Sequence, residues 1–218
     1  MYFFIFNLEA DVFSLIPFSG NFNGTGQELE NILDGVALKS ERIEINGVPC
    51  QMKIKLIETD LKTSIEYLCK SFNHLSFKAS EDSVLAELLH KNGDIERIYL
   101  ISMPGGLYPT ISFSMIFSNG LPKNNDFWFN DFPLPNLSTV ETTMFFPSRQ
   151  VSYGVFRSNR DTESVKEEVD FMLKESSWEE FSSGVYINET TMEILLVSYA
   201  ESSNIKSRVF FIKKPLEK

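Results

Sequence analysis

Arg42-Ile43-Glu44-Ile45, Asn46-Gly47 and Val48-Pro49-Cys50-Gln51-Met52-Lys53-Ile54-Lys55-Leu56-Ile57 form the stretch that decides the fold. Asn-Gly is the favoured pair for a two-residue type I′ turn, so the flanking runs read as the arms of a β-hairpin. The second arm alternates. Met52, Ile54 and Leu56 share one face and Gln51, Lys53 and Lys55 the other, the pattern of a sheet with one buried side.

Downstream, Asp60 or Thr63 caps a helix carrying Ile65, Leu68, Cys69 and Phe72 at i, i+3, i+4 and i+7. An extended stretch around Ser76 to Ala79, a segment from Val84 to Leu89, and a hairpin with arms Ile95 to Met103 and Tyr108 to Ser118 follow, the arms joined by Pro104-Gly105-Gly106. In the second arm Ile111, Phe113, Met115 and Phe117 alternate with Ser112 and Ser114, predicting a buried apolar face and a wet serine face.

The same order of signals returns in the second half. Thr139 to Phe146 and Gln150 to Arg157 flank Pro147-Ser148-Arg149, and the helix Thr162 to Glu175 presents Val165, Val169, Met172 and Leu173 inward. Trp178 stands where Leu75 stood, and strands are expected at Phe181 to Ile187, Met192 to Tyr199 and Asn204 to Lys213. The expected fold is therefore α+β: two tandem ββαβββ units, each an antiparallel sheet covered by one helix, which a pseudo-twofold would relate. The boundaries read as residues 1–118 for the first unit with an N-terminal extension, 119–137 for an aromatic and Pro-rich linker, and 138–218 for the second unit. Within the extension, Tyr2 to Phe6 reads as a strand, and Thr25-Gly26-Gln27-Glu28 has capping-box spacing before a short helix that Gly35 terminates.

Phe132-Pro133-Leu134-Pro135, the Val151-Ser152-Tyr153 strand, the helix from about Ser164 and the Trp178 after it resemble a helix-on-sheet module of uncharacterised bacterial proteins, many of them exported. The resemblance covers the second half; the first unit lacks the tryptophan. It implies the fold and a cell-envelope setting, and no activity or functional residue.

Composition narrows the function. The 218 residues carry a formal net charge of −10, which disfavours attraction to a phosphate backbone or an anionic membrane surface and steers a basic protein toward the chain. Hydrophobic residues at 43% and charged residues at 23% describe a soluble globular chain, and no apolar run is long enough to span a bilayer. As the sequence stands the compartment is cytoplasmic; removal of a signal peptide would make it the cell envelope or the exterior. The cysteines, Cys50 and Cys69, are read as reduced core thiols, with a bridge open only if Cys50 faces the helix.

No constellation amounts to a catalytic, cofactor or metal signature. The two histidines, His74 and His90, lie outside any His-Glu-x-x-His spacing; His74 reads as a helix C-terminal cation and His90 as solvated before the turn Lys91-Asn92-Gly93-Asp94. Glu163, Glu167, Glu168 and Asp170 read as the wet face of their helix. What remains is aromatic: Phe127, Trp128, Phe129 and Phe132 either form a partner-binding surface or wedge into a core that both units share. The reading is a noncatalytic protein-binding or scaffold module. An acidic inhibitor, immunity or chaperone-type protein masking a basic partner, a small-molecule or lipid carrier, and an unrecognised hydrolase are its alternatives.

Overall fold

A computed structural model describes residues 29–72, 75–103, 105–118, 127–202 and 205–216. The protein is α+β, with mostly antiparallel strands and two α-helices among these residues. It divides into two compact units. One takes the chain up to Arg42 and then Pro49–Leu121; the other takes Ile43–Val48 and Pro122–Lys218.

In the first unit a 3-10 turn (Leu29–Ile32) leads into β1 (Gly35–Ile45, as far as Arg42 in this unit), β2 (Val48–Ile57), α1 (Leu61–Ser71), β3 (Ser76–Ala79), β4 (Ser83–Leu89), β5 (Ile95–Ser102) and β6 (Thr110–Phe117). The strands lie in the order β3-β4-β5-β6-β2-β1. Asp60 caps α1 by accepting from the Thr63 amide at 2.8 Å. The inward stripe is not quite the expected one: Ser64, Leu68 and Phe72 are buried while Cys69 is exposed. Ser64 tolerates that position because its hydroxyl pairs with Thr59 Oγ1 at 2.8 Å.

The expected faces of β2 and β6 are inverted over most of their length, although Phe117 and Cys50, on the face expected to be dry, are buried too. Ser112 pairs across β5 with Leu100 and Ser114 with Ile98, so both serines lie on the face that α1 and the 3-10 turn cover, and both are 1% exposed. Lys55 lies opposite Ser112 and reaches the Leu33 carbonyl. Met52, Ile54, Phe113 and Met115 occupy the other face and keep partial exposure. Alternation alone identifies two faces, not which one is covered. Small hydroxyls fit beneath the buried Leu29 and Leu33, and hydrogen bonds to Glu96 Oε1 (3.0 Å) and the Lys55 carbonyl (3.3 Å) satisfy them. Cys50 shares the Met52 face, away from α1, so the bridge geometry is absent and both cysteines are free. Burial pushes the Cys50 thiol up to about 12.

The second unit runs through β7 (Ser138–Phe146), β8 (Val151–Ser158), α2 (Thr162–Glu175), β9 (Glu179–Ser182), β10 (Val185–Asn188), β11 (Glu193–Ser202) and β12 (Ile205–Pro215). Its order is β7-β8-β12-β11-β10-β9, the same as the first unit's read from β1 to β3. Each unit therefore carries four strands after its helix, one more than expected. In the second unit the extra strand arises because Gly184 (φ +71) turns the chain between β9 and β10. A Cβ there would lie 2.5 Å from the Val197 carbonyl oxygen, so only glycine fits. The hairpin tip Ile43–Val48 folds with this unit: Asn46 (φ +49) and Gly47 (φ +74) make the predicted positive-φ turn, Glu44 pairs with Phe145, and Ile45 with Met144. The Thr143 amide donates to Asn46 Oδ1 at 2.7 Å. Asp161 caps α2, whose Val165, Val169 and Leu173 are all 0% exposed; Met172 is half-buried. The expected strand at Tyr2 to Phe6, the capping box at Thr25 to Glu28 and the His74 helix end lie outside the described residues.

Candidate functional site

Three places concentrate chemistry: the aromatic run at Phe127–Phe132, a buried carboxylate in the first unit, and the sheet face of the second unit turned away from α2.

The aromatic run is a strap on the second unit's own core. Phe132 is 4% exposed and meets Phe211 and Phe129 with ring centroids 5.3 and 5.1 Å away. Trp128 stacks edge-on against Phe156 and Phe211 at 5.9 and 6.0 Å, and its indole N–H donates to the Phe132 carbonyl at 3.0 Å, satisfying the polar atom as its ring is buried. Gly154 of β8 makes room: a Cβ there would lie 2.8 Å from both the Phe132 and Trp128 rings. Phe129 packs partly buried against the same cluster, and Phe127, 41% exposed, abuts Gly47 of the hairpin tip. Of the four aromatics picked from sequence, Phe132 has almost no surface left to offer a partner and Phe127 has the most. In the first unit Leu29 and Leu33, both 0% exposed, occupy the corresponding place ahead of β1. The signal for a strap was in the sequence, as an apolar cluster just before the first hairpin of each half.

The carboxylate is Glu96 on β5, completely buried on the covered face. It accepts from the Leu29 amide (2.8 Å) and the Ser114 hydroxyl (3.0 Å), and its Oε2 lies 3.1 Å from His90 Nε2. His90, expected to be solvated, is only 9% exposed, because Glu96 stands across the β4–β5 turn from it and draws the ring inward. Desolvation pushes the Glu96 carboxyl above its usual range, opposed by the bonds from Leu29, Ser114 and His90. Serine, histidine and acid thus meet, but in the wrong sequence for nucleophilic catalysis. Ser114 and His90 occupy different oxygens of one carboxylate, so the hydroxyl donates to the acid and not to an imidazole base. The cluster's evident work is to hold the 3-10 turn by its first amide.

Several other titratable groups are engaged in pairs. Glu87 accepts from Arg97 Nε at 2.6 Å, both residues being buried. Asp170 accepts from the Tyr186 hydroxyl at 2.5 Å, and Glu168 is bound by Arg160, so half of the acidic cluster expected to be wet is tied down while Glu163 and Glu167 are exposed. Among the described residues no three His, Cys, Asp or Glu side chains gather as metal ligands, and no helix is long and apolar enough to cross a membrane. An open cleft of about 550 Å³ lies beside Trp178, Glu180 and Glu189, at the surface and not between helix and sheet.

The third place emerges from burial along β8 and β12. Ser152, Gly154, Phe156 and Ser158 are buried while Val151, Tyr153, Val155 and Arg157 are not; on β12, Ser207, Val209 and Phe211 are buried while Arg208, Phe210 and Ile212 keep partial exposure. Register carries the exposed set across four strands: Met144 opposite Tyr153, Phe210 opposite Val155, Ile212 opposite Leu196. Phe146 packs edge-on against Tyr153, which is 37% exposed, with centroids 6.0 Å apart. One face of this sheet is sealed by α2 and the strap. The other presents a contiguous apolar floor with part of its surface in water. Sequence reasoning passed over it because it weighed each strand for its buried side.

No family model, curated protein or solved structure matches this chain.

Proposed function

We propose that the protein is a noncatalytic binding module that engages another protein through the apolar sheet face of its second unit. The observation carrying this reading is the half-exposed floor on β7, β8, β12 and β11, whose large side chains are more apolar than a free surface favours. The arrangement of Glu96, His90 and Ser114 is consistent with it, since the Ser114 hydroxyl donates to the buried carboxylate and not to the imidazole. The common element order of the two units supports reading the chain as a tandem repeat of one module.

A second reading has its own support. Glu163, Glu167 and Glu180 are exposed on α2 and β9, and this acidic side suits a protein that masks a basic partner. A displayed random-peptide library separates the two. Enriched peptides lose binding to Val155→Asp and keep it with Phe181→Ser, a change at an edge residue 76% exposed, if the floor is the site. Enriched peptides that are uniformly basic and indifferent to Val155→Asp would replace the first reading with the second.

A further inference from the structure

The charges around the floor run against those of the chain. The whole protein carries −10, yet Arg149, Arg157, Arg208 and Lys214 all lie on this face. Arg149 sits over the Phe146 ring at 4.6 Å, Arg157 continues the Tyr153 and Val155 row, and Lys214 stands opposite Ile194. Glu141 and Glu179 share the face. Glu141 is held by Arg208, whose Nε is 2.7 Å from Oε2, and Glu179 lies on β9 at the far edge of the unit, with three strands between it and β8.

We infer that the partner seated on this floor is an apolar protein segment bearing acidic residues, its aliphatic or aromatic side chains on Tyr153, Val155, Phe210 and Ile212 and its carboxylates against the exposed Arg157 and Lys214. The inference rests on the proposed use of the face and adds the chemistry of the occupant. A basic rim around an apolar floor selects by charge at the rim and by area at the centre. A polyanion or an anionic bilayer carries many charges and meets the protein's net −10 at long range, whereas a short segment with two or three carboxylates meets only the local rim. The same face of a second copy brings like charges together.

Two labelled peptides test this by fluorescence anisotropy on the full chain: one alternating Phe with Glu, the other alternating Phe with Lys. The acidic peptide is expected to bind, the basic one to bind at least about tenfold more weakly, and Arg157→Glu with Lys214→Glu to reverse the order. Raising the salt from low to high ionic strength weakens the acidic peptide. Equal binding of both peptides, abolished by Val155→Asp, would keep the face as the site and overturn the acidic partner. Binding of neither peptide, or binding untouched by Val155→Asp, would remove the face itself. Far-UV circular dichroism and unfolding midpoints confirm that the variants stay folded, and Tyr153→Ser serves in place of Val155→Asp should that protein not fold. Anionic vesicles in place of peptide would, if bound in preference to the acidic peptide, assign the rim to lipid.

Discussion

Replacing Phe132 by alanine separates a strap from a linker. An aromatic side chain buries about 150–250 Å², which at about 25 cal/mol per Å² is worth about 4–6 kcal/mol against an extended chain. Residual compactness of the unfolded state lowers this to about 3–5 kcal/mol, the range usual for a buried Phe→Ala change. Phe132 lies in a surface-crossing segment that can settle partway into the hole, so the lower end, about 3 kcal/mol, is expected. For a unit of about 100 residues that lowers the melting temperature by at least about 12 °C. The assay is built in. The protein's two tryptophans, Trp128 and Trp178, both pack in the second unit's core, so intrinsic fluorescence during urea unfolding reports that unit alone. Phe127→Ala is the control, expected to cost under about 1 kcal/mol because the ring is already 41% exposed. If both variants shift by the same small amount, the ring of Phe132 is not part of a core and the strap does not exist.

The other expectations are smaller or more specific. Gly154→Ala pushes a methyl group into the Phe132 and Trp128 rings and should cost about 1–3 kcal/mol, read from the same fluorescence transition; no loss would mean the strap yields freely. Asn46→Ala leaves the buried Thr143 amide without its side-chain acceptor and should cost about 1–3 kcal/mol, with hydrogen exchange of that amide accelerated. Glu96 has a raised folded-state pKa, so its contribution is complete below the usual glutamate value near 4.3 and declines as pH rises through the elevated one. Urea midpoints by circular dichroism should therefore show the native protein losing ground to Glu96→Gln as pH rises from about 4.3; parallel curves would mean the carboxyl is not perturbed.

Much of the architecture was legible because local chemistry wrote it plainly. Asn46-Gly47 demands positive φ twice, and Val165, Val169 and Leu173 within Thr162 to Glu175 mark a helix with one dry side, so both features lie where spacing put them. Illegible was everything that depends on what lies over a strand. Ser112 and Ser114 look solvated until the partners of their hydroxyls are known, and His90 looks exposed until Glu96 is seen across the turn. The aromatic run was recognised as unusual, but its proline-rich surroundings read as a linker because the glycine that receives it, Gly154, is over twenty residues downstream. The apolar floor was hidden for a related reason. Its residues sit in strands whose other side supplies a complete core, so each strand had already been explained.

The tip of the first hairpin has a consequence for how this chain can be divided. A gene fragment beginning at Pro122 encodes every helix and full-length strand of the second unit yet omits Ile43–Val48, the short piece that pairs with β7. Such a fragment would emerge with a bare strand edge and no acceptor for Thr143, open to pairing with its neighbours in solution. During synthesis the missing piece has left the ribosome long before β7 exists and must wait for it, so the two halves are knitted by time as well as by sequence.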